Sequence, residues 1–117
     1  MAMRPTDFEG ALPVDGYGPG FFRVGGKAIH GPVVVQSGGV AEWGGLADHQ
    51  PLLDLQGQVD VLFLGMGAEI AHAPADLVAA LRQVGVMVEV MASPTAARIY
   101  NVTLSEGRRV ACALLPL

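Results

Sequence analysis

Charge is what this chain of 117 residues has least of. Charged residues make up 15% of it and hydrophobic residues 51%, against roughly 25% charged in ordinary soluble domains. Too few charges remain to cover the exterior, so a partner protein or a second copy of the chain, giving a homodimer, is expected to cover part of it. Basic charge is the scarcer sign: seven Lys and Arg stand against eleven Asp and Glu, for a net charge of −4. Phosphate backbones require a clustered excess of Lys and Arg. Arg108 and Arg109 form the only adjacent basic pair, which excludes nucleic acid as a partner and a polybasic grip on anionic lipid.

Cysteine and long apolar runs are scarce too. The single Cys112 excludes an internal disulfide, and it sits in the apolar run Val110 to Leu115, where a small buried thiol is ordinary packing. Despite a mean hydropathy of +0.43, the most apolar stretch, Val59 to Met66, is far short of the ~18 residues of a membrane helix and carries Asp60. It reads as a buried strand, and direct membrane insertion is not expected. Residues 1 to 20 hold Arg4, Asp7, Glu9 and Asp15 with no apolar core, so no secretory signal is read there and a cytoplasmic protein is expected. The length fits one domain over residues 1–117, with a loop-rich N-terminal segment over 1–20.

Turn formers divide the N-terminal half. Phe21 to Val24, Lys27 to Ile29 and Pro32 to Gln36 are short β-like runs set apart by Gly25-Gly26 and Gly31, a spacing that predicts an antiparallel meander. Val40 to Trp43 adds a further strand, and Pro51 opens a short helix that Gly57 ends. From Val59 onward, strands alternate with helix-length segments, the pattern of crossover βαβ units. The strands are Val59 to Leu64, Val86 to Met91 and Arg109 to Leu115. Between them lie helices over Pro74 to Val84, with Leu77, Val78, Leu81 and Val84 on one face, and over Pro94 to Glu106. Ser93 is placed as the N-cap of the second helix, and Gly85 and Gly107 as stops.

Most motifs that carry chemistry fail on spacing. Gly65-Met66-Gly67 follows a strand, but the third glycine of a dinucleotide fingerprint is replaced by Ile70. His30, His49 and His72 lie far apart and no Cys-x-x-Cys occurs, so neither a metal site nor a cofactor is expected. There is no Gly-x-Ser-x-Gly elbow, and nothing adjacent would activate Cys112.

The helix after Ser93 carries a more specific polar face. Ala96, Ile99, Tyr100, Thr103 and Leu104 form its apolar stripe while Arg98, Asn101 and Ser105 fall elsewhere. If it starts where a parallel strand ends, its N-terminus faces the crevice beyond the sheet. Gly65, Gly67, Ser93, Arg98, Tyr100 and Asn101 then make a candidate pocket for a carboxylate or phosphate. In the alternative, Arg98 pairs with Glu89, Glu106 or a C-terminal carbonyl, and Tyr100 and Asn101 hydrogen-bond the N-terminal segment.

The run Met91-Ala92-Ser93-Pro94-Thr95-Ala96-Ala97-Arg98-Ile99-Tyr100-Asn101-Val102, followed by Glu106-Gly107-Arg108-Arg109-Val110-Ala111, resembles the signature of the complex I assembly factor 3 family. Gly16-Tyr17-Gly18, Phe22, Trp43 and Leu64-Gly65-Met66-Gly67 extend the resemblance over most of the chain. Family members usually carry Asp-Thr after the Met, Thr before the Tyr and Gly-Thr-Gly after the strand. Here these positions read Ala92-Ser93, Ile99 and Gly65-Met66-Gly67, with several small polar groups lost.

The resemblance implies a three-layer β/β/α fold, an N-terminal antiparallel meander packed on a mixed sheet with a C-terminal β-α-β-α-β unit, and no established catalytic activity. It also implies a non-enzymatic protein-binding module, an assembly or stability factor for a respiratory or membrane-biogenesis complex. The competing expectation is a binder of a small anionic metabolite, or an enzyme, using a crevice near Arg98.

Overall fold

The computed structural model describes residues 11–117. Its elements run β1 (Val14–Gly18), β2 (Phe21–Val24), β3 (Lys27–His30), β4 (Val33–Gln36), β5 (Gly39–Glu42), α1 (Gln50–Leu53), β6 (Val61–Gly65), α2 (Ala75–Gln83), β7 (Met87–Met91), α3 (Ser93–Ser105) and β8 (Val110–Leu114). The first three strands form an antiparallel sheet in the order β1-β2-β3. The others form a five-stranded mixed sheet in the order β5-β4-β8-β6-β7, with β6 parallel to both β7 and β8 and β4 antiparallel to β8.

The apolar pattern explains why the large sheet is central. β6 and β8 are buried at every position, as strands covered on both faces must be. On one face Phe63, Cys112 and Leu114 meet Phe22 and Val24 of the small sheet and Ala96, Tyr100 and Leu104 of α3. On the other, Leu62, Leu64, Ala111 and Ala113 meet Leu52 and Leu55 near α1 and Leu77 and Leu81 of α2. The fold is therefore three-layered, with the small sheet and α3 sharing one outer layer.

Two sequence expectations change. The run Pro32 to Gln36 was assigned to the meander, but as β4 it belongs to the large sheet. Val33 and Val35 face one core and Val34 the other, so this strand is buried on both sides, and Gly31 at φ +86 with Pro32 turns the chain into the second sheet. The segment 1–20, read as loop, contains strand β1 within its described part; residues 1–10 lie outside the described residues. β1 holds despite its turn formers because Val14 is buried, and a register shift between Val14 and Gly16 absorbs the irregularity.

Apart from the start of α3, the turn and helix chemistry follows the sequence. Gly25 and Gly26 take φ +58 and +83 between β2 and β3, the conformation a two-residue hairpin demands. α2 buries Leu77 and Leu81, carries Asp76 in its first turn and Arg82 in its last, and stops at Gly85 with φ +85.

Candidate functional site

The crevice beyond the carboxyl ends of β6 and β7 brings Gly65, Gly67 and Ser93 together. Ser93 is the first residue of α3 and not its N-cap, a place that Ala92 takes. Its hydroxyl is wholly buried and engaged twice, accepting from the Gly67 N–H at 2.8 Å and donating to the Leu115 carbonyl at 2.6 Å. The local capping preference for serine is overridden because the same oxygen links two loops at once.

The surrounding backbone closes the same space. Ser93 N–H donates to Gly67 O at 2.8 Å, Met66 N–H to Met91 O at 2.9 Å, and Leu115 N–H to Gly65 O at 3.0 Å. Gly20 N–H donates to Leu117 O at 3.2 Å, so the C-terminal residues also reach the small sheet. Gly67 adopts φ +98, a conformation open to glycine. This tail was not anticipated from sequence; the signal was Pro116, which ends the ladder of β8 after Leu115.

Tyr100 and Asn101 point elsewhere, toward the small sheet. The Tyr100 hydroxyl donates to Leu12 O at 2.7 Å. Asn101 accepts from Val14 N–H and donates to Val14 O, both at 2.8 Å, so its amide pairs with β1 as a neighbouring strand would. These bonds bridge 87 and 88 residues of chain. Tyr100 and Asn101 thus tie the N-terminal segment to α3, as the bracing alternative expects.

Arg98 joins neither group. It is exposed on α3 and meets no acidic or carbonyl partner among the described residues. Arg98→Ala is accordingly expected to shift unfolding free energy by no more than about 0.5 kcal/mol, checked by urea denaturation.

Two buried groups, Tyr100 and Cys112, are held in their protonated forms by their surroundings. Burial pushes the Tyr100 hydroxyl well above its ordinary 10.0, with the neighbouring Cys112 adding to the effect. Burial likewise pushes the Cys112 thiol well above its ordinary 9.0, opposed by a backbone hydrogen bond at Val35. A thiol held protonated is a poor nucleophile, so Cys112 is expected to resist alkylation in the native protein and to react on unfolding.

Both raised values act on stability with the same sign. Below their ordinary values both groups are protonated whether the chain is folded or not. Above 9.0 for Cys112 and 10.0 for Tyr100 the unfolded chain loses these protons first, so it binds fewer than the native state and stability falls as pH rises. A urea midpoint that declines through this alkaline range is the expected result. A midpoint that holds level would place the two side chains in contact with water.

The histidines do not converge: His30 ends β3 and packs against Phe21 with ring centroids 5.6 Å apart and planes tilted by 48°, His49 precedes α1, and His72 lies between β6 and α2. Among the described residues no three His, Cys, Asp or Glu side chains gather as metal ligands.

Residues 14–115 match a family model described as a protein of unknown function, DUF498/DUF598. The chain belongs to this family. An uncharacterised protein of Rhodobacter capsulatus is 52% identical over 117 residues, covering 100% of this chain and 94% of that protein. The mouse NADH dehydrogenase [ubiquinone] 1 alpha subcomplex assembly factor 3 is 26% identical over 124 residues, covering 99% of this chain and 66% of its own length. The solution structure of a Mth938-like domain of Bordetella pertussis superposes with a TM-score of 0.80 at 27% identity, covering 99% of this chain and 92% of that one. The DUF498/DUF598 chain therefore has the Mth938-like fold, and the mouse assembly factor has additional length beyond it.

Proposed function

We propose that this DUF498/DUF598 protein is a non-enzymatic protein-binding module that helps assemble or stabilise a membrane-associated respiratory complex, acting from the cytoplasmic side. The observation that carries the reading is the alignment of a protein named as an NADH dehydrogenase assembly factor along 99% of this chain. What the two share is thus the whole domain and not a local motif. Supporting it, the polar side chains conspicuous in sequence are engaged inside the fold: Ser93 binds loops, and Tyr100 and Asn101 bind the N-terminal segment. Among the described residues no helix is long and apolar enough to cross a membrane, so contact with a membrane complex would run through its protein surface.

Affinity capture of the tagged full chain from native membranes tests this. Reproducible enrichment of respiratory-complex or membrane-biogenesis proteins over a tag-only control is the expected result, and their absence would count against the reading.

The second reading, an anion bound near Arg98, rests on the exposure of that guanidinium and its lack of an acidic partner among the described residues. A thermal-shift screen of anionic metabolites with wild type and Arg98→Ala decides it. Ligand at 100 times its Kd would add about 2.7 kcal/mol to stability, and the reading requires that gain to vanish in the variant.

A further inference from the structure

We propose that the open edge of β5 is a docking strand for an extended segment of a partner protein whose side chains alternate between basic and apolar. The inference rests on the protein-binding reading above and names the surface that would serve it.

β5 closes one side of the five-stranded sheet and, among the described residues, pairs only with β4. The Trp43 N–H donates to Pro32 O at 3.1 Å, just beyond the β4-β5 ladder, which fixes where the bonded rungs fall. Because bonded and non-bonded pairs alternate along an antiparallel ladder, Val34/Ala41 and Gln36/Gly39 are the bonded pairs. Val40 and Glu42 therefore turn their N–H and C=O groups outward. These are the main-chain groups that a strand added to a sheet edge would use.

The edge also lies between two grooves. On the α1 side a depression of about 470 Å³ is floored by Val34, Ala41 and Leu55 and bordered by Glu42, Asp48 and Asp54. On the small-sheet side a second depression, about 440 Å³, is lined by Ala28, Ile29, His30 and Val40 together with Glu42. Successive side chains of an added strand point to opposite faces, so alternate residues would enter alternate grooves.

Charge chooses the occupant. The α1-side groove has the carboxylates of Asp48 and Asp54, Glu42 lines both grooves, and among the described residues neither lining holds Lys or Arg. Asp48 and Asp54 accept hydrogen bonds from Gly44 and Gln50 through one oxygen each, which leaves their charge uncompensated by any cation among the described residues. Basic side chains fit the α1 side, where Asp48 and Asp54 stand, and apolar ones the side of Ala28, Ile29 and Val40. A second copy would set Glu42, Asp48 and Asp54 near their own duplicates, an unfavourable arrangement of like charges. β5 also lacks the Lys and Pro that commonly guard sheet edges, whereas the small sheet's edge strand β3 carries Lys27.

The test is backbone-amide NMR of the full chain titrated with a capped peptide of alternating Lys and Val, roughly eight residues or one strand long. The expected result is shifts concentrated on Gly39–Trp43 and on the residues lining the two grooves. A matched Glu-Val peptide should bind roughly tenfold more weakly, because the groove repels it.

In Val40→Pro the lost N–H is one that faces outward, so the ladder to β4 survives while strand addition is blocked. The Lys-Val peptide should bind this variant roughly tenfold more weakly. Glu42→Lys, at an exposed position, provides a second variant that keeps the backbone edge and should lower the preference for the basic peptide.

No shifts with the Lys-Val peptide, shifts centred elsewhere, or equal binding of both peptides would overturn the proposal. So would concentration-dependent shifts on β5 without peptide, which would mean that a second copy covers the edge. Membrane capture separates the two levels of inference. If wild type and Val40→Pro recover the same respiratory partners, the docking strand is wrong and the assembly reading stands. If wild type recovers none, the assembly reading fails whatever the peptides do.

Discussion

Gly65→Ala is expected to cost about 3 kcal/mol of stability and to lower Tm by roughly 10 °C, although it adds a single methyl group. A β-carbon on Gly65 would stand 2.6 Å from the Ser93 Cα, 2.7 Å from its hydroxyl oxygen and 3.0 Å from Leu114 Cδ2. The first of these neighbours is backbone, so relief requires moving the start of α3 away from β6. That movement would also strain the Ser93 bonds to Gly67 and Leu115, which hold the crevice closed. Thermal and urea unfolding check the prediction. A variant as stable as wild type would mean that α3 is not seated on β6 in this way.

Tyr100→Ala should cost about 3–5 kcal/mol, the ordinary penalty for emptying the site of a large buried ring. Tyr100 is wholly buried between α3, the small sheet and the large one. Tyr100→Phe keeps the ring and removes only the bond to Leu12 O, so about 1–2 kcal/mol is expected. Asn101→Ala strands both the N–H and the C=O of Val14 and should cost about 1–3 kcal/mol. Hydrogen exchange separates a brace from general packing. In Tyr100→Phe and Asn101→Ala the amides of β1 and β2 should exchange faster, while those of β6 and β8 keep their protection. Uniform loss of protection would show that the ties are not local to the small sheet.

These contrasts explain which parts of the molecule could be read from sequence. The C-terminal half was readable because its signals are local: Val61 to Met66 has no polar side chain, as a strand covered on both faces must, and α2 repeats its leucines at helical spacing up to Gly85. β1 was not readable, because Asp15-Gly16-Tyr17-Gly18 favours turns and the strand depends on Asn101, 87 residues away. The assignment of β4 to the meander failed for a related reason. Short glycine-separated runs predict hairpins, but only the three consecutive valines show that this strand is buried on both faces.

The candidate site divides along the same line. The bracing alternative named the N-terminal segment as the partner of Tyr100 and Asn101, but sequence did not show the clamp made by Ser93. Tyr100 and Asn101 reach the N-terminal segment, Ser93 exchanges the capping role for a clamp on Gly67 and Leu115, and Arg98 stands apart on the exposed side. Ser93, Tyr100 and Asn101 hold the layers together, and Arg98 lies outside that interior.

Deleting the gene in its source organism and resolving the membranes on native gels tests the assembly role most directly. Loss of the fully assembled respiratory NADH dehydrogenase, restored by wild-type protein and accompanied by unchanged transcript levels for its subunits, is the expected result. An undiminished assembled complex in the deletion strain would contradict it.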